Sequence, residues 1–146
     1  MAVEREVRLA VYRHFTDCAA APTVAETARR TGLPDRQVRT AYGALAEQRI
    51  LVLEEDGETL RMAPPFSAVA TPHVATIDGR SYFANCAWDV FGVVAALGGE
   101  GVVESRCEHS GTALRLELRG NGPEASPWRF HSLLPASQWW RDIVFT

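Results

Sequence analysis

A cysteine and an aspartate stand three residues apart in the stretch YFANCAWD at residues 82–89. The apolar run that follows predicts a helix, and Asn85 is the expected N-cap. Cys86 would then be the first helical residue, with Asp89 one turn further along on the same face. A thiolate binds soft metals, and a buried carboxyl group can hold a proton and deliver it. The pair could therefore bind a soft electrophile and protonate its leaving group.

Two interpretations of this pair stay open on spacing alone. The positive end of a helix favours a thiolate, which predicts a lowered pKa for Cys86. A free cysteine is also a common small core residue, and an aspartate in a first helical turn stabilises the helix without any chemistry. Cys-x-x-Asp is by itself a weak motif, so the surrounding elements must decide between the two.

The composition indicates a soluble globular protein, with 47% hydrophobic and 23% charged residues. The longest apolar run, residues 90–97, is too short to cross a bilayer, and the N-terminus lacks a signal-peptide pattern. We therefore expect a cytoplasmic protein with no membrane partner. The three cysteines, Cys18, Cys86 and Cys107, include no Cys-x-x-Cys pair, which disfavours disulfides and a closed zinc site.

The first part of the chain has the pattern of a winged helix-turn-helix. Apolar residues at helical spacing predict a helix over residues 3–17, and Thr23 with Glu26 forms a capping-box pattern for a second helix. A third helix is predicted to begin at Pro34, and two short strands flank Asp56-Gly57. We place this domain at residues 1–62.

A linker and a second domain are predicted next. The Pro- and Ala-rich residues 63–72 indicate the linker, and residues 73–146 the second domain. This domain is predicted to contain a hairpin at Asp78-Gly79, the helix after Cys86 and two paired strands. WRFHSLLP is predicted as a strand and ASQWWRDI as one or two helical turns.

A winged helix suggests DNA binding, but the charges argue against it. The third helix carries Arg36, Gln37 and Arg39, which could contact phosphates or bases. The hairpin that would form the wing is acidic, and clustered carboxylates repel the DNA backbone. Its acidic residues are Glu54, Glu55, Asp56 and Glu58. DNA is therefore not an expected partner, and a structural role for this domain is favoured.

The segment DGRSYFANCAWDVFGVVAALGGEGVVESRCEHSGTALRLEL resembles the central segment of organomercurial (alkylmercury) lyases. That family shows an Asp-Gly turn, an aromatic pair, Cys-Ala-x-Asp, an apolar helix, Ser-x-Cys, a Gly turn and an alternating strand, in this order. The family also has an N-terminal winged-helix-like domain. The resemblance implies an α+β fold: a winged helix-turn-helix followed by a small mixed α/β domain of the alkylmercury lyase type.

The resemblance also implies roles for individual residues. Cys86 would bind the mercury of a small organomercurial molecule. Asp89 would help to deprotonate the thiol and then protonate the carbon, which releases the hydrocarbon and leaves Hg²⁺ on sulfur. No cofactor is implied, since mercury is part of the substrate and product. Cys107 matches a family cysteine that we take as structural, in a buried strand before a turn.

A second catalytic cysteine of the family has no counterpart before the position of Thr146. A shortened chain, a relative that has lost the reaction, or a different group in the same role would each explain this. Cys18, Cys107 and His131 are the candidates for such a group. Trp128, Trp139 and Trp140 are expected in a core or interface, with an apolar wall around an alkyl group as the alternative.

Three functions stay open at this level. The leading expectation is an organomercurial lyase-like protein in which protonolysis is weak or absent but mercury still binds Cys86. The second is a non-enzymatic, thiol- or metal-responsive winged-helix regulator. The third is a family relative that uses Cys86 and Asp89 on another soft electrophile or metal. Nothing in the sequence indicates an oligomeric state.

Overall fold

The computed structural model describes residues 2–145 and has a mixed α+β architecture, as predicted. It divides into two compact units, the first ending at Ala70 and the second beginning at Thr71. Within residues 2–145, no helix is both long and apolar enough to cross a membrane.

The first unit is built on three helices, whose apolar stripes face one another. The helices are α1 at Ala2–Cys18, α2 at Val24–Thr31 and α3 at Asp35–Glu47. Their spacing of apolar residues places large side chains on the inner face of each helix. The fully buried side chains include Val7, Val11, Phe15, Val38, Tyr42 and Leu45. The buried Tyr42 hydroxyl is hydrogen-bonded to Thr27 Oγ1, with 2.7 Å between the two oxygens.

The ends of α2 are fixed by the residues that the sequence predicts. The Thr23 side chain accepts a hydrogen bond from the Glu26 backbone N–H, and the Glu26 carboxylate accepts one from the Thr23 N–H. This capping box satisfies backbone donors that have no partner within the helix. Gly32 ends the helix at a φ of 72°, a left-handed conformation that glycine adopts without strain.

A small antiparallel sheet completes the first unit, in the order β1-β2-β3. Its strands are β1 at Val52–Leu53, β2 at Leu60–Ala63 and β3 at Phe66–Ser67. The strand β3 corrects the sequence interpretation, which assigned residues 63–72 to a linker. Phe66 is buried and stacks on Phe15, with 5.4 Å between the ring centroids. The burial of this aromatic ring explains why the segment belongs to the unit despite its proline content.

The second unit contains a five-stranded antiparallel sheet in the order β5-β4-β6-β7-β8. The strands are β4 at Val74–Ile77, β5 at Arg80–Phe83, β6 at Gly101–Arg106, β7 at Ala113–Arg119 and β8 at Gly122–Pro123. Asp78 and Gly79 connect β4 to β5 with φ angles of 50° and 77°. Two positive φ angles in a two-residue loop are typical of a type I′ hairpin, as the Asp-Gly step predicts.

One helix, α4 at Ala87–Ala96, packs on a single face of this sheet. Its buried residues are Val90, Val93 and Val94, and the sheet contributes Ala75, Val103, Leu116 and Leu118. The helix begins just after β5 ends, so its N-terminal end lies at the end of the sheet where β5 finishes. At the opposite end, a Cβ on Gly101 would lie 2.8 Å from the Thr76 carbonyl oxygen. The close approach of β4 and β6 therefore requires glycine there.

The final segment departs from the prediction at one element. WRFHSLLP forms no strand, and residues 124–135 contain neither helix nor strand. Pro127 and Pro135 lack the N–H donors that a strand needs. The Phe130 ring contacts Trp88 and Trp139 instead of packing within a sheet. The predicted helical turn in ASQWWRDI is confirmed as a 3-10 helix at Ala136–Arg141.

Candidate active site

The cysteine at the start of α4 lies at the N-cap position. Its backbone is extended, with φ −143° and ψ 175°, and the helix begins at Ala87. The sequence prediction that Asn85 is the N-cap and Cys86 the first helical residue is therefore wrong by one position. Asn85 has a different role, because its side-chain N–H donates a hydrogen bond to the Ile143 carbonyl oxygen at 2.9 Å.

The side chains of Cys86 and Asp89 contact each other. The Cys86 thiol donates a hydrogen bond to Asp89 Oδ2, with 3.6 Å between sulfur and oxygen. Both side chains are half-buried at the end of the helix. One turn of spacing thus brings a soft ligand and a carboxylate together, and the thiol proton points at an acceptor.

The electrostatic environment of this pair differs from the prediction. Burial raises the pKa of the Cys86 thiol, and the nearby negative charge of Asp89 raises that pKa further. The backbone N–H groups of Asp89 and Trp88 favour the thiolate, which opposes this rise in pKa, although the thiol forms no cap hydrogen bond. The expected lowering of the Cys86 pKa by the helix end is therefore wrong, since burial outweighs it.

The carboxyl group of the pair is shifted in the same direction. Burial raises the pKa of Asp89, and the hydrogen bond from Cys86 opposes this only in part. A carboxylate that is costly to keep charged accepts a proton readily. The resting pair is therefore a protonated thiol beside a base, which can receive the thiol proton when the sulfur binds a metal.

Three aromatic rings contact one another in series, from Trp88 of α4 to Phe130 and Trp139, and we call them the aromatic cluster. The Trp88 and Phe130 centroids are 5.4 Å apart, and the Phe130 and Trp139 centroids are 6.5 Å apart. The Trp88 residue is 56% exposed and Phe130 is 49% exposed. The Trp139 indole N–H donates to Ser132 Oγ and to the Leu134 carbonyl oxygen, both at 3.0 Å. Of the three rings, sequence reasoning considered only Trp139.

The other groups considered from the sequence lie elsewhere in the fold. Cys18 is exposed at the end of α1 in the first unit, and His131 is exposed in the irregular segment rather than in a strand. Cys107 follows β6 and is half-buried in a turn, which corrects its predicted place in a buried strand. Hydrogen bonds from the Ser110 side chain and from backbone N–H groups lower the pKa of Cys107.

A buried histidine is the residue that sequence reasoning missed. His73 is 7% exposed, and its Nδ1 lies 2.8 Å from Ser105 Oγ. Burial lowers the pKa of His73, and the Glu108 carboxylate, 3.8 Å from Nε2, opposes that shift. The His73 carbonyl oxygen accepts a hydrogen bond from the Ala84 N–H, two residues before Cys86. Alternation with the inward-facing Ala75 could have indicated its burial.

The described residues offer a sparse set of metal ligands. Across residues 2–145, no group of three or more His, Cys, Asp and Glu side chains is arranged to hold a metal ion. A soft metal at the helix end would therefore meet one sulfur, from Cys86, and one carboxyl group, from Asp89. One sulfur and one carboxyl group are fewer than the four ligands that a structural zinc ion takes.

The comparisons with known proteins agree on one family. The family model described as MerB, alkylmercury lyase, matches residues 66–145, which include Cys86 and Asp89. Curated alkylmercury lyases of Bacillus cereus and Clostridium butyricum are each 29% identical to this chain over 96 residues. These alignments take in 66% of this chain but only 42% of each relative, so the match spans less than half of their length.

A solved structure supports the fold. The mercury-bound form of MerB2 superposes with a TM-score of 0.63, over 86% of this chain and 66% of that chain. The sequence identity is 20%, so this likeness concerns the fold alone.

Proposed function

The chain belongs to the alkylmercury lyase family, and we propose that Cys86 and Asp89 capture an organomercurial compound and cleave its carbon–mercury bond by protonolysis. The observation that carries the proposal is the hydrogen bond from the Cys86 thiol to the Asp89 carboxylate, at 3.6 Å, inside the matched segment. No cofactor takes part, since mercury enters with the substrate and stays on sulfur as product.

The first step is capture of the substrate R–Hg–X, where X is a thiolate or halide. A sulfur–mercury bond forms at Cys86, the mercury–X bond breaks and X leaves as an anion. The thiol proton moves to Asp89, which lies on the line of the existing hydrogen bond. The raised pKa values of both groups support this transfer, because the thiol keeps its proton until mercury arrives and the carboxylate accepts it readily.

The second step returns the same proton to carbon. Asp89 protonates the carbon bound to mercury, and the electron pair of the Hg–C bond becomes the new C–H bond. The hydrocarbon R–H leaves, Asp89 is again a carboxylate, and mercury remains in the +2 state on Cys86. No electron is gained or lost overall, so the reaction needs neither an oxidant nor a reductant.

A second sulfur on the mercury would speed this step, because sulfur donates electron density that weakens the Hg–C bond. Cys107 is the candidate within the same unit, and its lowered pKa favours the thiolate. Cys18 belongs to the first unit, and His131 would supply nitrogen. A small thiol in solution can supply the same group, so an assay of this protein should contain one.

The test is incubation with a methylmercury or phenylmercury salt in the presence of excess thiol. Released methane or benzene and released Hg²⁺ are measured together. We expect slow release by the natural sequence and a loss of at least about a hundredfold in Cys86→Ser. The exposed Cys18 offers a matched control, and Cys18→Ser should leave the rate unchanged. Equal hydrocarbon release by the natural sequence and Cys86→Ser would remove Cys86 from the mechanism.

We also propose that the first unit is a winged helix that serves as a scaffold and not as a DNA reader. Arg39, on the helix that would read DNA, forms an ion pair with Glu58 of the β1–β2 connection. Arg61 is likewise paired with Glu54 at 3.1 Å. These carboxylates pair with the arginines that would otherwise neutralise DNA phosphates. The ion pairs therefore disfavour the regulator hypothesis.

A further inference from the structure

The position of the reactive thiol depends on the three residues that connect β5 to α4, residues 84–86. The Cys86 carbonyl oxygen accepts a hydrogen bond from the Val90 N–H at 3.2 Å, which fixes the helical side of this residue. The Cys86 side chain forms no cap hydrogen bond, and its backbone is extended. The placement of the sulfur beside Asp89 therefore also depends on how the chain enters the helix from β5.

Ala84, two residues before Cys86, is held through both of its backbone polar groups. Its N–H donates a hydrogen bond to the His73 carbonyl oxygen at 2.9 Å. Its carbonyl oxygen accepts a hydrogen bond from the Thr71 hydroxyl, with 2.6 Å between the two oxygens. Ala84 is fully buried, so water does not reach either group. Residues 71–73 thus satisfy the backbone of the entry to α4.

The segment that holds Ala84 is itself fixed to the sheet. Thr71 Oγ1 accepts a hydrogen bond from the His73 N–H at 3.2 Å, which forms a local turn. The His73 ring is hydrogen-bonded to Ser105 of β6, with 2.8 Å between Nδ1 and Oγ, and both residues are buried. Thr71 Oγ1 also lies 3.2 Å from the His73 carbonyl oxygen, but the contact with Ala84 is shorter. One hydroxyl group therefore connects the fixed segment to the entry of α4.

We propose that Thr71 is a positioning residue, whose hydroxyl fixes the Ala84 carbonyl oxygen and thereby holds the Cys86 sulfur at the Asp89 carboxylate. The inference rests on the proposed function. Proton transfer requires the sulfur and the carboxylate oxygen to stay within hydrogen-bond reach, and a shift of about 1 Å slows such a step by up to about a hundredfold. Capture of mercury requires only an accessible thiol, so it tolerates the same shift.

The test compares Thr71→Val with Thr71→Ser. Valine keeps the shape of threonine but removes the hydroxyl, which leaves the buried Ala84 carbonyl oxygen without this donor, whereas serine retains the donor. Each protein is loaded with one equivalent of phenylmercury, and benzene release is followed in the presence of glutathione. We expect release to slow by about tenfold or more in Thr71→Val and by less than about twofold in Thr71→Ser. The partition of phenylmercury between protein and glutathione should be the same in both variants as in the natural sequence.

The matched control is Thr31→Val in the first unit. The Thr31 hydroxyl is also half-buried and donates a hydrogen bond to a backbone carbonyl oxygen, that of Thr27, at 2.8 Å. Thr31→Val therefore removes the same group from the same kind of bond and should leave benzene release unchanged. Equal slowing in Thr31→Val and Thr71→Val would overturn the positioning role, because it reports a general loss of stability. A parallel loss of capture and release in Thr71→Val would overturn it for the same reason.

A second measurement does not depend on the reaction with mercury. Alkylation of Cys86 by iodoacetamide at a fixed pH, followed by mass spectrometry of the peptide that contains it, reports how firmly the half-buried thiol is held. We expect Thr71→Val to react about threefold faster or more, and Thr71→Ser to react at the natural rate. Equal rates in Thr71→Val and the natural sequence would overturn the positioning role.

The outcomes separate the role of Thr71 from the reaction. Benzene release by the natural sequence that is unchanged in Thr71→Val refutes the positioning role and leaves the proposed function intact. If the natural sequence releases no benzene, the proposed function is refuted. The alkylation rates then decide alone whether Thr71 holds the thiol in place.

Discussion

The first turns of α2 and α4 solve the same problem in different ways. Both helices have backbone N–H groups that need partners. In the first unit, Thr23 and Glu26 satisfy these groups with a reciprocal capping box. In the second unit, the N-cap is Cys86, which forms no side-chain cap hydrogen bond and turns its thiol towards Asp89. The N-terminus of α4 thus lacks the side-chain cap that stabilises α2, and its N-cap side chain contacts Asp89 instead.

The two units also differ in how many large apolar side chains they expose to solvent. Among the described residues, most large apolar side chains that are exposed belong to the second unit. They are Trp88, Trp128, Phe130, Leu133, Val144 and Phe145, against Leu9 and Val69 in the first unit. Exposed apolar surface has a cost in water and is often functional. This exposed apolar surface is concentrated in the unit that contains Cys86 and the aromatic cluster.

The largest effect that would test this contrast is expected from Asp89→Asn. The amide cannot accept and return the thiol proton, so hydrocarbon release should fall by about a hundredfold or more, while mercury capture by Cys86 persists.

The thermal stability of Asp89→Asn should not fall below that of the natural sequence. Burial raises the pKa of Asp89, so its charged form is disfavoured in the folded state, and the thermal midpoint of the variant relative to the natural sequence should rise with pH above about 4.

The matched control for this variant is Asp35→Asn. Asp35 is an exposed acid in the first turn of α3, so the chemical change is the same and both residues lie in a first helical turn. Asp35→Asn should leave hydrocarbon release unchanged. A similar loss of release in both variants would mean that the effect of Asp89→Asn comes from the lost charge in a first helical turn and not from lost proton transfer.

The two caps themselves should respond in opposite directions. Thr23→Ala removes a capping hydrogen bond and should lower the free energy of unfolding by about 1 kcal/mol without changing mercury capture. Cys86→Ser introduces a preferred N-cap residue and should raise that free energy by a few tenths to about 1 kcal/mol, although it abolishes capture. Denaturant unfolding of both variants measures the difference. A loss of stability in Cys86→Ser would show that the cysteine is a structural residue.

The smallest expected effect is on the free energy of unfolding at acidic pH. Burial lowers the pKa of His73, so below about pH 6.5 the unfolded chain takes up a proton more readily than the folded one. The free energy of unfolding should therefore decrease as the pH falls from 7 to 5, by on the order of 1 kcal/mol or less from this group. His73→Gln should reduce that slope, with His131→Gln as the control. An unchanged slope in His73→Gln would assign the acid sensitivity to other groups.

The elements that sequence reasoning predicted well are those set by neighbouring residues. The capping box of Thr23 and Glu26 and the Asp78-Gly79 hairpin depend only on local backbone geometry, and both are confirmed. Sequence reasoning does not predict the strand β3, because that strand depends on the packing of Phe66 against Phe15, which lies 51 residues earlier in the chain. Local propensity could not reveal that contact.

At the candidate site, too, local sequence patterns predict only what neighbouring residues determine. The spacing of Cys86 and Asp89 predicted their contact, since one helical turn fixes it. The N-cap was placed at Asn85 because asparagine is a preferred cap, but its side chain bonds Ile143, from the far end of the unit. The direction of the Cys86 pKa shift was wrong for a related reason, because burial comes from tertiary packing and outweighs the helix end.

The tight contact at Gly101 makes the spacing between the two central strands a fixed dimension of the second unit. Any side chain there would meet the Thr76 carbonyl oxygen and act as a wedge between β4 and β6. At the other end of these strands, His73 directly precedes β4 and pairs with Ser105 of β6, and the His73 carbonyl oxygen accepts a hydrogen bond from Ala84, two residues before Cys86. A single methyl group at Gly101 would therefore strain the strand pair whose other end lies next to the segment that leads into Cys86.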